Sequence, residues 1–127
     1  MIPVPVGAIL VALALLAAPQ PATRAVVTSQ VQPPPATVHV AENASCAEWW
    51  QLAAEVGWPE GELPTVDRVM WCESRCEPHA YNRSGASGLM QVLKSHAPDA
   101  DLFDPATNLT VALRVWQRQG WRAWSCW

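Results

Sequence analysis

All four cysteines of this 127-residue chain (Cys46, Cys72, Cys76 and Cys126) and all eight of its tryptophans fall within residues 45–127. Cross-links and the largest apolar side chains are therefore concentrated in one short stretch. It has room for a single small core, and small cores of this kind commonly rely on staples. Two separate cores, large barrels and doubly wound dinucleotide folds are excluded by size.

An even cysteine count in a small domain points to disulfides in an oxidising compartment. The competing idea is a zinc site, since Cys72 and Cys76 would supply two ligands. No Cys-x-x-Cys or His-x-x-x-His pair completes a tetrahedron, so no metal is expected. Three pairings are possible, of which Cys72 with Cys76 inside one helical turn is the least comfortable. Cys46–Cys76 with Cys72–Cys126 is the pairing adopted here. Cys46–Cys72 with Cys76–Cys126 stays open, and both tie Cys126 to the middle of the domain.

The N-terminal part reads as export machinery. Val6 to Ala18 is an uncharged apolar run, with small residues at Ala17, Ala18, Ala22 and Ala25 where a signal peptidase would cut. Residues 1–25 are accordingly expected to be a signal peptide. The run is short of the roughly twenty residues that span a bilayer, so no stable membrane anchor is expected. No Lys or Arg precedes it, and Pro3 and Pro5 are unusual in such a position. Residues 26–44, rich in Pro and Thr and containing Pro33-Pro34-Pro35, are expected to form an extended linker. The VHVA stretch within it has no strand to pair with, and His39 carries no functional weight. A secreted protein follows. Eight basic against eleven acidic residues, without a basic run, exclude nucleic acid as a partner.

Within residues 45–127 the periodicity is helical. Ser45 is placed to cap a helix reaching Val56, with Trp49, Leu52, Ala53 and Val56 on one face and Gly57 to stop it. Thr65 is placed to cap a second helix from Val66 to about Arg75, with Val66, Val69 and Met70 inward. Asp104 and Pro105 open a third, which carries Leu109, Ala112, Leu113 and Trp116 and meets Gly120. Between the second and third, turn signals at Asn82, Ser84-Gly85 and Ser87-Gly88 predict a loop, followed by a short helix near Leu89 to Ser95. The expected fold class is mainly α, stapled by disulfides.

One residue breaks the pattern. The stripe Val66, Val69, Met70 continues onto position 73, where a hydrophobe is due and the chain has Glu73. An inward carboxylate near a helix C-terminus is disfavoured in its charged form by burial and by the helix dipole. Both influences suit a general acid. The competing reading is an ion pair with Arg68 or Arg75.

The surrounding string, Cys72 to Val92, contains Glu73-Ser74, Ala80-Tyr81-Asn82 and Gly85-Ala86-Ser87-Gly88-Leu89-Met90-Gln91, and Asp104-Pro105-Ala106-Thr107-Asn108-Leu109 follows. Over about residues 65 to 127 this resembles the lysozyme-like domain of soluble-type lytic transglycosylases, whose motifs occur in the same order. The resemblance implies a lysozyme-like fold and a monomer that cleaves the β-1,4 bond between N-acetylmuramic acid and N-acetylglucosamine in peptidoglycan, without cofactor, at the cell wall. Glu73 would protonate the glycosidic oxygen and then accept the muramyl 6-hydroxyl proton, closing a 1,6-anhydro ring. Ser74 would hydrogen-bond near the acid or the sugar. Gln91 and the Met90 main chain would line sugar subsites, and Asn82 would lie near the cleft floor or form a turn. A lone acid fits this chemistry, because glycosidases that use water or a protein nucleophile generally need a second carboxylate. Asp99, Asp101 and Asp104 sit where solvated or capping aspartates are common.

Gly88 is expected to let the following helix approach the second helix. Trp49, Trp71 and Trp116 are expected in or beside the core, and the group Trp121, Trp124 and Trp127 to include a sugar contact. His79 and His96 read as loop residues. The family's later Ala-Tyr-Asn-Ala-Gly-like motif is missing. Competing functions are lysozyme-type hydrolysis of the same bond, an inactive glycan-binding domain, and an extracellular interaction domain unrelated to sugars.

Overall fold

The computed structural model describes residues 16–22 and 36–127. The expected export run up to residue 15 and the Pro33-Pro34-Pro35 triplet lie outside the described residues. Residues 16–22 carry no regular secondary structure. Among the described residues no helix is long and apolar enough to cross a membrane.

Residues 36–127 form a mainly helical domain with one small sheet. A 3₁₀ turn, Ala47–Trp49, leads into α1 (Trp50–Glu55), and a second, Glu60–Glu62, leads into α2 (Leu63–Ser74). Then come β1 (Ala86–Ser87) and β2 (Val92–Leu93), a 3₁₀ turn at Lys94–His96, α3 (Pro105–Gln119) and a last 3₁₀ turn at Trp121–Ala123. The two strands are antiparallel, with Ala86 opposite Leu93 and Ser87 opposite Val92. Helix α1 packs on both α2 and α3, and β2 packs on α3. Leu63, Met70, Leu89, Met90 and Leu109 are fully buried, and each contributes roughly 1.5–3 kcal/mol by leaving water.

The disulfides are Cys46–Cys76 and Cys72–Cys126, the pairing adopted from the sequence. Packing begins ahead of Ser45. Val38, Val40, Ala41 and Ala44 lie half-buried against the core, and the Val38 N–H donates to Gln51 Oε1 at 3.0 Å.

Helix α3 starts and stops where its local signals lie. Asp104 accepts from the Thr107 N–H at 2.9 Å, Pro105 occupies the first turn, and Gly120 closes the end. The other two starts differ from expectation. Ser45 does not cap α1; its N–H donates to Asp67 Oδ2, while Asp67 Oδ1 accepts from the Cys46 N–H and Trp50 Nε1. A carboxylate from α2 thus satisfies the orphan amides at the entry to the first helical segment. Helix α2 starts at Leu63 rather than after Thr65, because the Glu60–Glu62 turn feeds directly into it and Pro64 suits its first turn.

The expected helix at Leu89 to Ser95 is instead a tight hairpin. Asn108, fully buried on α3, explains it: its Oδ1 accepts from the Met90 N–H, and its Nδ2 donates to the Ser87 and Leu102 carbonyls. These bonds replace helical ones with tertiary ones. Gly88 makes the approach possible, though to α3 and not to α2: at its φ of +76°, a Cβ would collide with Leu102 O and Asn108 Nδ2.

Trp49 and Trp116 lie half-buried against the core, as expected. Trp50, Trp58 and Trp124 are buried. Trp58 stacks on Trp121 at 5.4 Å, and Trp116 and Trp124 extend the cluster. Trp121 Nε1 donates to Glu62 Oε2 and Trp124 Nε1 to Met90 O, so this C-terminal pair holds the fold together. Trp71, expected in or beside the core, is 42% exposed with the Arg75 guanidinium 4.7 Å from its ring centroid. Trp127 is 62% exposed.

Candidate active site

Glu73 is the next-to-last residue of α2 and is half-buried. Desolvation pushes its carboxyl pKa above the ordinary glutamate value, and no opposing hydrogen bond or charge pulls it back. Among the described residues neither Arg68 nor Arg75 pairs with Glu73, and the Arg75 guanidinium lies over Trp71. Burial is the cause of the raised pKa, and Glu73 stands in the last turn of α2, where the helix dipole acts in the same direction.

The chain leaves Glu73 through an unusual backbone. Arg75 (φ 55°) and Cys76 (φ 64°) both adopt left-handed conformations, which cost of order 1–3 kcal/mol at a non-glycine residue. The surroundings hold this turn in place. The Arg75 N–H closes the helix onto Trp71 O, Trp49 Nε1 donates to Cys76 O at 3.0 Å, and Cys76 is bonded to Cys46. Cys72, on the other side of Glu73, is bonded to Cys126. The acid is bracketed by two cross-links.

Ser74 is buried, and its hydroxyl donates to Met70 O at 3.0 Å, one helical turn back. Asn82 is exposed and shapes a turn: its Oδ1 accepts from the Ser84 N–H at 2.7 Å and from the Ser84 hydroxyl, and its N–H donates to Ala86 O. Met90 is fully buried, with its N–H on Asn108 Oδ1 and its carbonyl accepting from Trp124 Nε1. The main chain of Met90, expected at a sugar subsite, is thus engaged inside the fold. Gln91 has a left-handed backbone (φ 47°), and its Nε2 donates to Ala80 O and Gly88 O at 3.0 and 3.1 Å.

Two groupings result. Glu73 and Ser74 end α2, whereas Asn82, Met90 and Gln91 belong to the turn and hairpin that Asn108 anchors. Ala80 joins them, taking the Gly88 N–H and the Gln91 side chain on one carbonyl. Gln91 also borders a cavity of about 200 Å³ with Leu93, His96, Gln119 and Trp124; Glu73 does not.

Asp104 serves as a helix cap, and the Thr107 hydroxyl and N–H hold its pKa below the ordinary aspartate value. Asp101 accepts from the Phe103 N–H, and Asp99 is exposed. Among the described residues no three His, Cys, Asp or Glu side chains are grouped to hold a metal ion.

In the sequence Asp67 had no assigned part, and Asn108 stood only as a letter of a motif. Asn108 carried a signal, its place in Asp104-Pro105-x-x-Asn108-Leu109. Asp67 carried only a weak one, a carboxylate between Val66 and Val69 on the inward side of a helix.

The family model for the transglycosylase SLT domain matches residues 55–119, half of the chain. The match begins ahead of the stretch identified by motif and stops before the terminal Gly120–Trp127 segment. No curated protein and no solved structure matches the chain.

Proposed function

The chain belongs to the transglycosylase SLT domain family, and from that premise we propose that it is a secreted lytic transglycosylase of peptidoglycan. In this reading Glu73 protonates the oxygen of the β-1,4 bond between N-acetylmuramic acid and N-acetylglucosamine. As a carboxylate it then takes the proton from the muramyl 6-hydroxyl, whose oxygen attacks C1 and closes a 1,6-anhydro ring. The proton is returned in each turnover, and no water is consumed.

The observation that carries the reading is the state of Glu73: a half-buried carboxyl, raised in pKa by desolvation, on a helix end clamped by two disulfides. A raised pKa favours the protonated form that a general acid needs. Clamping fixes its position before the sugar arrives, which lowers the entropic cost of reaching the reactive geometry. Gln91 is the residue of the hairpin best suited to meet the sugar, because its side-chain oxygen makes no hydrogen bond among the described residues. Asn82 presents an exposed amide nitrogen on the neighbouring turn. Ser74 and Met90 act beneath the surface, the first on the helix end and the second through Asn108 and Trp124.

Mass spectrometry of muropeptides released from purified sacculi tests this. Anhydromuramyl ends that disappear with Glu73→Gln are expected. Reducing ends would establish lysozyme-type hydrolysis in place of ring closure, and binding without release would establish a glycan-binding domain.

A further inference from the structure

The chain has one tyrosine and one phenylalanine, and neither is in the core. Tryptophans and aliphatic side chains fill it, while Tyr81 is 65% and Phe103 37% exposed. The two rings lie 6.4 Å apart between centroids, tilted at 57°, and the His79 ring lies 6.0 Å from Phe103. Both border a cavity of about 280 Å³, whose other walls include Ser87, Lys94 and Asp101.

Aromatic rings left in water beside one another forgo the apolar burial that most large side chains obtain. The backbones that carry these rings are also held in place. The Tyr81 backbone pairs with Ser87, the Phe103 N–H is taken by Asp101 Oδ1, and the preceding Leu102 carbonyl is taken by buried Asn108. Rings carried on a fixed backbone lose less entropy on binding than rings on a mobile loop. The rim of this aromatic face is polar and carries both signs: Lys94, which spends one donor on Ala100 O, and Asp101, whose second oxygen makes no hydrogen bond among the described residues.

We propose that this face is a glycan-stacking site, separate from Glu73, that holds one N-acetylhexosamine ring of the peptidoglycan strand. A pyranose has an apolar face of axial C–H bonds and an edge of hydroxyl and amide groups. The rings take the face, and Lys94 and Asp101 take the edge. The site is continuous with the hairpin already assigned to substrate, because Ala80, next to Tyr81, is the carbonyl on which Gln91 and Gly88 converge. An apolar peptide side chain would fill the same volume but would leave both charged groups of the rim unused. The identity of the glycan rests on the proposed cleavage activity; the stacking chemistry does not.

The test uses the full chain carrying Glu73→Gln, titrated with the β-1,4-linked N-acetylglucosamine tetramer and followed by NMR and by sedimentation with purified sacculi. The Tyr81 and Phe103 ring protons are expected to shift on titration. Tyr81→Ala and Phe103→Ala are each expected to weaken binding roughly three- to tenfold, the contribution of one aromatic contact. Tyr81→Phe, which keeps the ring, is expected to bind nearly as well as the parent. Unchanged ring signals, or unchanged affinity in both alanine variants with thermal melting also unchanged, would overturn the inference, whatever muropeptides the wild-type protein releases. Loss of binding in the alanine variants alongside no cleavage by the wild type would sustain the stacking site and remove the enzyme.

Discussion

Replacing Asn108 by alanine should remove a large part of the stability of the domain. The carboxamide is 0% exposed and satisfies three main-chain groups that have no route to water: the Met90 N–H at 2.9 Å, the Ser87 carbonyl at 2.8 Å and the Leu102 carbonyl at 2.9 Å. Each buried group left unpaired costs about 1–3 kcal/mol, so the three together cost about 3–6 kcal/mol when partial relaxation is allowed for. Domains of this size have only about 5–10 kcal/mol in hand. Urea denaturation of the oxidised protein should show the midpoint falling accordingly, with the slope unchanged. Asn108→Asp is the informative companion, since it keeps the acceptor for Met90 but turns a carboxylate oxygen toward two carbonyls. Its folded-state pKa would be raised above the unfolded value. Its stability should therefore be greatest below the ordinary aspartate pKa and fall as pH rises through the folded value. A loss below about 1 kcal/mol for Asn108→Ala would show that water or a backbone shift replaces the amide, and the account of the hairpin given above would be wrong.

Asp67→Ala should cost about 2–4 kcal/mol, because it strips the Ser45 and Cys46 amides and Trp50 Nε1 of their common acceptor; chemical denaturation reads it. Removing Cys72–Cys126 by a double alanine substitution opens a loop of sequence separation 54 and should cost about 4 kcal/mol by the loop-entropy relation. Differential scanning calorimetry should then show a melting temperature lower by roughly 15 °C or more. Glu73→Gln should lower muropeptide release by about 10²–10⁴-fold, the usual contribution of a general acid. It should also alter the pH dependence of folding. The folded pKa of Glu73 is raised, so the wild-type protein loses stability as pH rises through that value. Glu73→Gln should therefore be the more stable protein at neutral pH, with the advantage vanishing below the ordinary glutamate range. Parallel stability-versus-pH curves for the two proteins would contradict the desolvated acid.

What the linear sequence determined were features encoded within a few residues of where they act. Helix α3 is bounded by Asp104-Pro105 and Gly120, residues that act on their own turn. The inward stripe of α2 makes Glu73 conspicuous because helical period is a local property. Cysteines 72 and 76, one turn apart, point to other partners for steric reasons that need no knowledge of the fold. What only the tertiary structure decided depends on atoms brought together from far along the chain. The entry to α1 is set by Asp67, more than twenty residues away, so a good local cap at Ser45 goes unused. Residues 89–95 have a respectable helical reading, yet Asn108 takes the Met90 N–H and Gly88 admits it, and a hairpin results. The same amide explains why the Met90 main chain is engaged inside the fold, and the pairing of Tyr81 with Phe103 on one face appears only once that hairpin stands against α3. Periodicity records which side of a helix faces inward, but a buried hydrogen bond is a property of two positions at once, and its far partner leaves no periodic mark.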